Sequence, residues 1–128
     1  MQEFQPSDAQ LEILQILWDI EPATVREIFE ILRQHKQVGL TTVQKQMQRM
    51  TEKGLIEAVS QEGKSFRFQA TVKEGQMRKS LLKRFKENVY KGSAMDLVMH
   101  ALGDSKPSEE EIDQLLEWLK QHKSNNQS

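Results

Sequence analysis

Apolar residues recur at helical spacing from early in the chain. Leu11, Leu14, Leu17 and Trp18 follow the helical period, with Ile13, Ile16 and Ile20 beside them. So broad an apolar face predicts a helix buried on more than one side. Ser7 and Gln10 stand at capping-box spacing at its start, and Pro22 stops it. Val25, Ile28, Phe29 and Leu32 form a second stripe behind a Thr24–Glu27 box, predicting a helix to about Gln34. His35–Gly39 reads as a connector. The third stripe, Val43, Met47 and Met50, is narrow. It follows a Thr41–Gln44 box with Leu40 before it, and Gly54 sits where a left-handed residue ends a helix.

After Gly54 the period becomes extended. Leu55–Ser60 is rich in β-formers, Gln61–Lys64 reads as a turn, and Ser65–Ala70 alternates with Phe66 and Phe68 on one face. This predicts a β-hairpin. From Thr71 the pattern is helical again. A Thr71–Glu74 box precedes Met77, Leu81, Leu82, Phe85 and Val89; Gly75 weakens the first turn and Lys91-Gly92 ends the helix. Ser93 opens a short helix with Met95, Val98 and Leu102 on one side and Leu97 and Ala101 on another. After a loop over Gly103–Pro107, a Ser108–Glu111 box precedes Ile112, Leu115, Leu116 and Leu119. Ser124–Ser128 has no apolar residue and is expected to fray. The predicted fold is mainly α with a small β-hairpin: a winged helix-turn-helix domain over 1–71, a helical dimerisation region over 72–123, and a tail over 124–128.

Composition narrows the function. Of 128 residues, 37% are apolar and 29% charged, which implies a modest core. The net charge of −1 excludes a strongly basic nucleic-acid binder but not a local basic patch. Without cysteine there are no disulfides, thiolate metal sites or cysteine nucleophiles, and a reducing compartment fits. The first residues lack the pattern of a secretory signal, and no apolar run approaches the roughly 18 residues of a membrane span. A cytoplasmic, soluble protein without membrane contact is expected. His35, His100 and His122 are scattered without metal-ligand spacing, and no Gly-rich phosphate loop or nucleophile elbow occurs. No enzymatic activity and no cofactor are expected. The last three helices are too small to bury their own stripes. Either they pack back on the first 70 residues or they pair with a second chain, and a homodimer would cover them through Leu81, Phe85, Val89, Met95, Val98, Leu102, Ile112, Leu115, Leu116 and Leu119.

Three helices followed by a hairpin describe a winged helix, whose third helix enters the DNA major groove. With Val43, Met47 and Met50 toward the core, Thr42, Lys45, Gln46 and Arg49 are expected on the exposed side, flanked by Gln44 and Gln48. Gln pairs with adenine, and Lys or Arg with guanine, each bidentate pair being worth about 1–3 kcal/mol of discrimination. Thr41 and Thr42 suit a phosphate at the helix start. A solvated polar face is the alternative. Charge weighs against it: from Lys36 to Arg67 there are six cations and three anions, locally +3, while the first 35 residues are acidic. Lys64 and Arg67 extend the patch onto the wing. Arg49 could alternatively pair with a neighbouring glutamate. Lys79, Lys83, Arg84 and Lys86 read as a solvated face.

In order along the chain, "SDAQLEILQILWDIEPATVREIFEIL", "TTVQKQMQRMTEKGLI" and "QEGKSFRFQA" resemble the penicillinase-repressor family of bacterial winged-helix regulators. That family includes repressors of beta-lactamase, methicillin-resistance and copper-transport genes. A weaker match continues through "GSAMDLVMHAL" and "SEEEIDQLLEWL". The resemblance implies a homodimer on a palindromic operator, with the C-terminal helices intertwined. It carries DNA contact to Thr41, Thr42, Lys45, Arg49, Lys64 and Arg67. The family often has a basic residue where this chain has Thr41, which implies a different operator. Antibiotic-responsive members are cut at an Asn-Phe bond in the helix matching Ala94–Leu102. Here the pair is His100-Ala101, and the cysteine cluster of copper-responsive members is absent.

The expected protein is a sequence-specific, double-stranded-DNA-binding transcriptional repressor, dimeric and cytoplasmic. Its upstream sensor or protease is not identified by the sequence. A winged-helix protein-interaction module and a small-ligand-responsive regulator are the alternatives.

Overall fold

The computed structural model describes residues 5–126. Its elements are α1 (Asp8–Ile20), α2 (Val25–Leu32), α3 (Leu40–Lys53), β1 (Ile56–Glu62), β2 (Ser65–Ala70), α4 (Glu74–Val89), α5 (Ala94–Ser105) and α6 (Glu109–Asn126). The chain divides into two compact units, one ending at Leu82 and one beginning at Lys83.

The first unit is a winged helix. Ser7 and Gln10 cap α1 reciprocally, and Thr24 and Glu27 do the same for α2, as their spacing predicts. Both boxes satisfy backbone N–H groups that would otherwise face solvent without a partner. Ile13, Leu14 and Leu17 of α1 bury against Ile28 and Leu32 of α2 and Val43, Met47 and Met50 of α3. Each such side chain contributes about 1.5–3 kcal/mol of burial. Leu55, Ile56 and Met77 complete the core.

The start of α3 departs from expectation. Gly39 is its N-cap and makes no side-chain cap hydrogen bond. The helix begins at Leu40, so Thr41 already lies inside the first turn and no Thr41–Gln44 box forms. The other end follows the sequence closely. Gly54 adopts φ 82°, the left-handed region that favours glycine. Leu55 N–H then reaches Met50 O at 2.9 Å and Gly54 N–H reaches Thr51 O at 3.1 Å, a Schellman end with buried Leu55 as its apolar contact.

β1 and β2 pair antiparallel, Ile56 opposite Ala70 and Glu62 opposite Ser65. The turn is Gly63-Lys64 alone, so Gln61 and Glu62 belong to the strand. Gly63, at φ 61°, supplies the positive dihedral of a primed hairpin turn. Between Ala58 and Ser60 the register slips, leaving Val59 as a bulge. Ala23, between α1 and α2, bridges Phe68 through both backbone groups and ties the wing to the helices.

After the wing the first unit continues past Thr71, where its boundary was expected. The Trp18 indole donates to Val72 O at 2.9 Å, Met77 is buried, and Leu81 packs on the core. The Thr71–Glu74 box does not form. The Thr71 hydroxyl instead donates to Gly54 O at 2.6 Å, closing the wing's base, and α4 starts when Met77 N–H reaches Lys73 O.

In the second unit Ser93 caps α5 and the Ser108–Glu111 box caps α6. Tyr90 packs edge-on against Phe85 and His100, and its hydroxyl lies 2.9 Å from His100 Nδ1. No described residue of this unit is fully buried. α6 runs to Asn126, so residues 124–126 are helical where fraying was expected. Residues 127–128 lie outside the described residues.

Candidate nucleic-acid interface

The core holds α3 by one side only. Val43, Met47 and Met50 are each at most 1% exposed. At 100° per residue the opposite strip is Thr41, Lys45, Gln48 and Glu52. All four are exposed, as are Thr42, Gln44 and Arg49 on its flanks. The outward strip is therefore polar, with a cation near its middle.

Gln46 does not join this strip. Buried Gln10 accepts the Ser7 backbone N–H at 3.1 Å and the Lys53 ammonium at 2.8 Å on its Oε1. Both are obligate donors, so the Gln10 amide nitrogen must face the other way. There it donates to Gln46 Oε1 at 3.3 Å. Gln46 is thus half-buried at the rim of the core, with its oxygen engaged. The two-bond recognition of adenine expected of it needs that oxygen free. Gln48, taken as a flank from sequence, occupies the outward strip. Counting seven residues from Thr41 would have found it.

Arg67 also differs from expectation. Its guanidinium meets Glu27 at 2.9 Å and Glu62 at 3.2 Å, and reaches Pro22 O at 3.3 Å. It clamps the wing to the first turn of α2 instead of standing free. Glu62 and then Glu27 hold the guanidinium still more firmly protonated than usual. The Thr24 backbone N–H, and then Arg67, hold the Glu27 carboxyl below its ordinary range.

The other cations of the positive segment divide cleanly. Lys36 pairs with Glu12 at 2.8 Å, and Lys53 is bound to Gln10 and to Gln5 O. Lys45, Arg49 and Lys64 make no ion pair among the described residues. Arg49 therefore does not form the salt bridge that was its alternative. These three cations sit on α3 and on the wing's turn.

Of the residues expected at a dimer interface, Leu81 rests on the core of the first unit, and Leu102 and Leu115 are half-buried. Phe85, Val89, Met95, Val98, Ile112, Leu116 and Leu119 are exposed. Trp118, expected from sequence as a core or interface anchor, is exposed, and so is Met99, which was not expected there. Among the described residues no group of three or more His, Cys, Asp or Glu side chains is placed to hold a metal, and no helix is long and apolar enough to cross a membrane.

The family model described as penicillinase repressor matches residues 6–121, nearly the whole chain. The chain belongs to the penicillinase repressor family. It is accordingly a protein of a transcriptional repressor family and not an enzyme. Among its relatives, the methicillin resistance regulatory protein MecI of Staphylococcus aureus is 27% identical over 88% of this chain and 90% of that protein. The penicillinase repressor of Bacillus licheniformis is 26% identical over 94% of this chain and 93% of that one. The solution structure of the DNA-binding domain of the repressor BlaI superimposes with a TM-score of 0.52 at 25% identity, covering 59% of this chain and 93% of that domain. The Bacillus licheniformis BlaI monomeric form, solved in complex with the blaP half-operator, gives a TM-score of 0.50 at 24% identity over 59% of this chain and 90% of that one. These likenesses show that the first unit shares the winged-helix fold of the BlaI domain.

Proposed function

We propose that this penicillinase-repressor-family protein is a cytoplasmic homodimer that binds a palindromic operator and represses by occluding a promoter. The observation that carries the reading is the outward side of α3, where Lys45, Gln48 and Arg49 stand exposed beside Lys64 on the wing. α3 enters the major groove, with Lys45 and Arg49 toward guanine edges or phosphates. Thr41 and Thr42 approach the backbone at the first turn. Gln46 and Arg67 serve as anchors that hold α3 and the wing in place.

Dimerisation follows from the second unit. Its apolar side chains, among them Val98, Leu116 and Leu119, lie open on α5 and α6. A second copy presenting the same stripes covers them, and a two-fold pair matches a two-fold operator. Linking two half-site contacts raises affinity by effective concentration.

Selection of bound sites from random duplex DNA tests this directly. The expected outcome is an inverted repeat whose half-sites lie about one helical turn apart, or a multiple of it. The double substitution Lys45→Ala with Arg49→Ala is expected to abolish enrichment while the dimer persists. Enrichment that survives it would remove α3 as the reading element.

A further inference from the structure

Arg26, Gln44, Lys64 and Ser65 are distant in sequence, yet they line one cleft of about 230 Å³. The first turn of α2, the N-terminal part of α3 and the wing's turn converge there. Val25, Leu40 and Phe66 supply apolar surface in the same cleft. No carboxylate lines it. Glu27, on the same turn as Arg26, is held by Thr24 and Arg67. Arg26 meets Glu30 at 3.5 Å across an exposed helical turn, with its own side chain 66% exposed. Such a pair is weak and readily exchanged for a better anion. Lys64 makes no ion pair among the described residues. Phe66 is 46% exposed, large apolar surface left beside a cation.

Apolar walls under a cationic, hydrogen-bonding rim are the complement of a sugar–phosphate strand. A deoxyribose offers an apolar face, and the phosphodiester beside it offers charge and acceptors only. We propose that this cleft seats one strand of the DNA backbone, the deoxyribose against Phe66 and Val25 and the phosphate between Arg26 and Lys64. The Ser65 hydroxyl and the Gln44 amide are further donors to it. This deepens the DNA-binding reading and rests on it. Gln44 lies one residue before Lys45, so a strand held in the cleft sets the angle at which the outward strip of α3 meets base edges. The cleft contributes register and affinity, and no base preference of its own.

The test uses the full chain and its selected operator. Arg26→Ala is expected to weaken binding alike on strong and weak operator variants. It should make the slope of log K against log salt shallower by about 1.8, because both protomers carry the substitution and each loses about 0.9, the share of one phosphate. Arg26→Lys should keep the wild-type slope. A duplex carrying a neutral methylphosphonate at the seated phosphate of each half-site should weaken the wild type more than it weakens Arg26→Ala, which keeps only Lys64 as a cation there. Unfolding curves for each variant confirm that the exposed substitution leaves the fold intact. If Arg26→Ala and Lys64→Ala both bind with wild-type slope, the cleft seats no strand. A change of base preference at constant slope would likewise overturn the proposal, because it marks a base-reading contact. A wild-type chain with no salt-dependent binding would overturn the DNA-binding reading itself, a result distinct from either.

Discussion

The two units of this chain use apolar residues in opposite ways. The first gathers them from α1, α2, α3, β1 and the start of α4 into one closed core around Leu17, Ile28 and Met50. The second lays them along α5 and α6 without closing over any of them. Met47 and Met95 make the contrast concrete, one 1% exposed and the other 68%. A closed core specifies a rigid platform, which a groove-reading helix needs. An open set of stripes is the surface that the proposed second copy would cover.

The largest expected effect breaks the second unit's half of that contrast. Val98→Asp combined with Leu116→Asp places charge on both exposed helices. Sedimentation is expected to shift from dimer to monomer, while the circular dichroism of the first unit's helices is retained. A dimer that survives both substitutions would move the interface elsewhere. Next in size, Met47→Ala should cost about 2–5 kcal/mol in denaturant unfolding, since it opens a cavity in the closed core. Met95→Ala, measured below the dimerisation concentration, should stay within about 0.5 kcal/mol. Equal costs would mean that the two regions do not differ as described.

The smallest effect concerns the join between the wing and α2. Glu27 has a folded-state pKa lowered first by the Thr24 backbone N–H and then by Arg67. A depressed carboxyl contributes stability that is fully present above its unfolded value and lost as pH falls through the folded one. The melting temperature of the wild type should therefore exceed that of Glu27→Gln at neutral pH, and the gap should close as pH falls below the ordinary carboxyl value of 4.5. A gap that widens with acid would contradict the assigned cause.

Much of the fold was legible because its signals are local. Three capping boxes, at Ser7, Thr24 and Ser108, form as their spacing predicts, and Gly54 ends α3 at the expected residue. The same spacing failed at Thr41 and Thr71, where packing overrode it. Starting α3 at Leu40 puts Leu40 beside the wing cleft, and the Thr71 hydroxyl found the carbonyls at the foot of β1. The proposed site was legible in its charge and less so in the placement of its side chains. Lys45, Arg49 and Lys64 stand as the sequence suggests. Gln46 and Arg67 do not, because their partners Gln10 and Glu27 lie far off in the chain and no periodicity announces them. Arg26, which the proposed cleft adds, has no sequence signal for the same reason, since only the folded wing brings it into the cleft that Lys64 lines.

The central claim is that the outward side of α3 and the wing face a polyanionic duplex. The dependence of operator affinity on salt tests it most directly. A dimer that neutralises about eight phosphates should give a slope of log K against log salt near −7. A slope near zero on the best operator that selection yields would contradict the account.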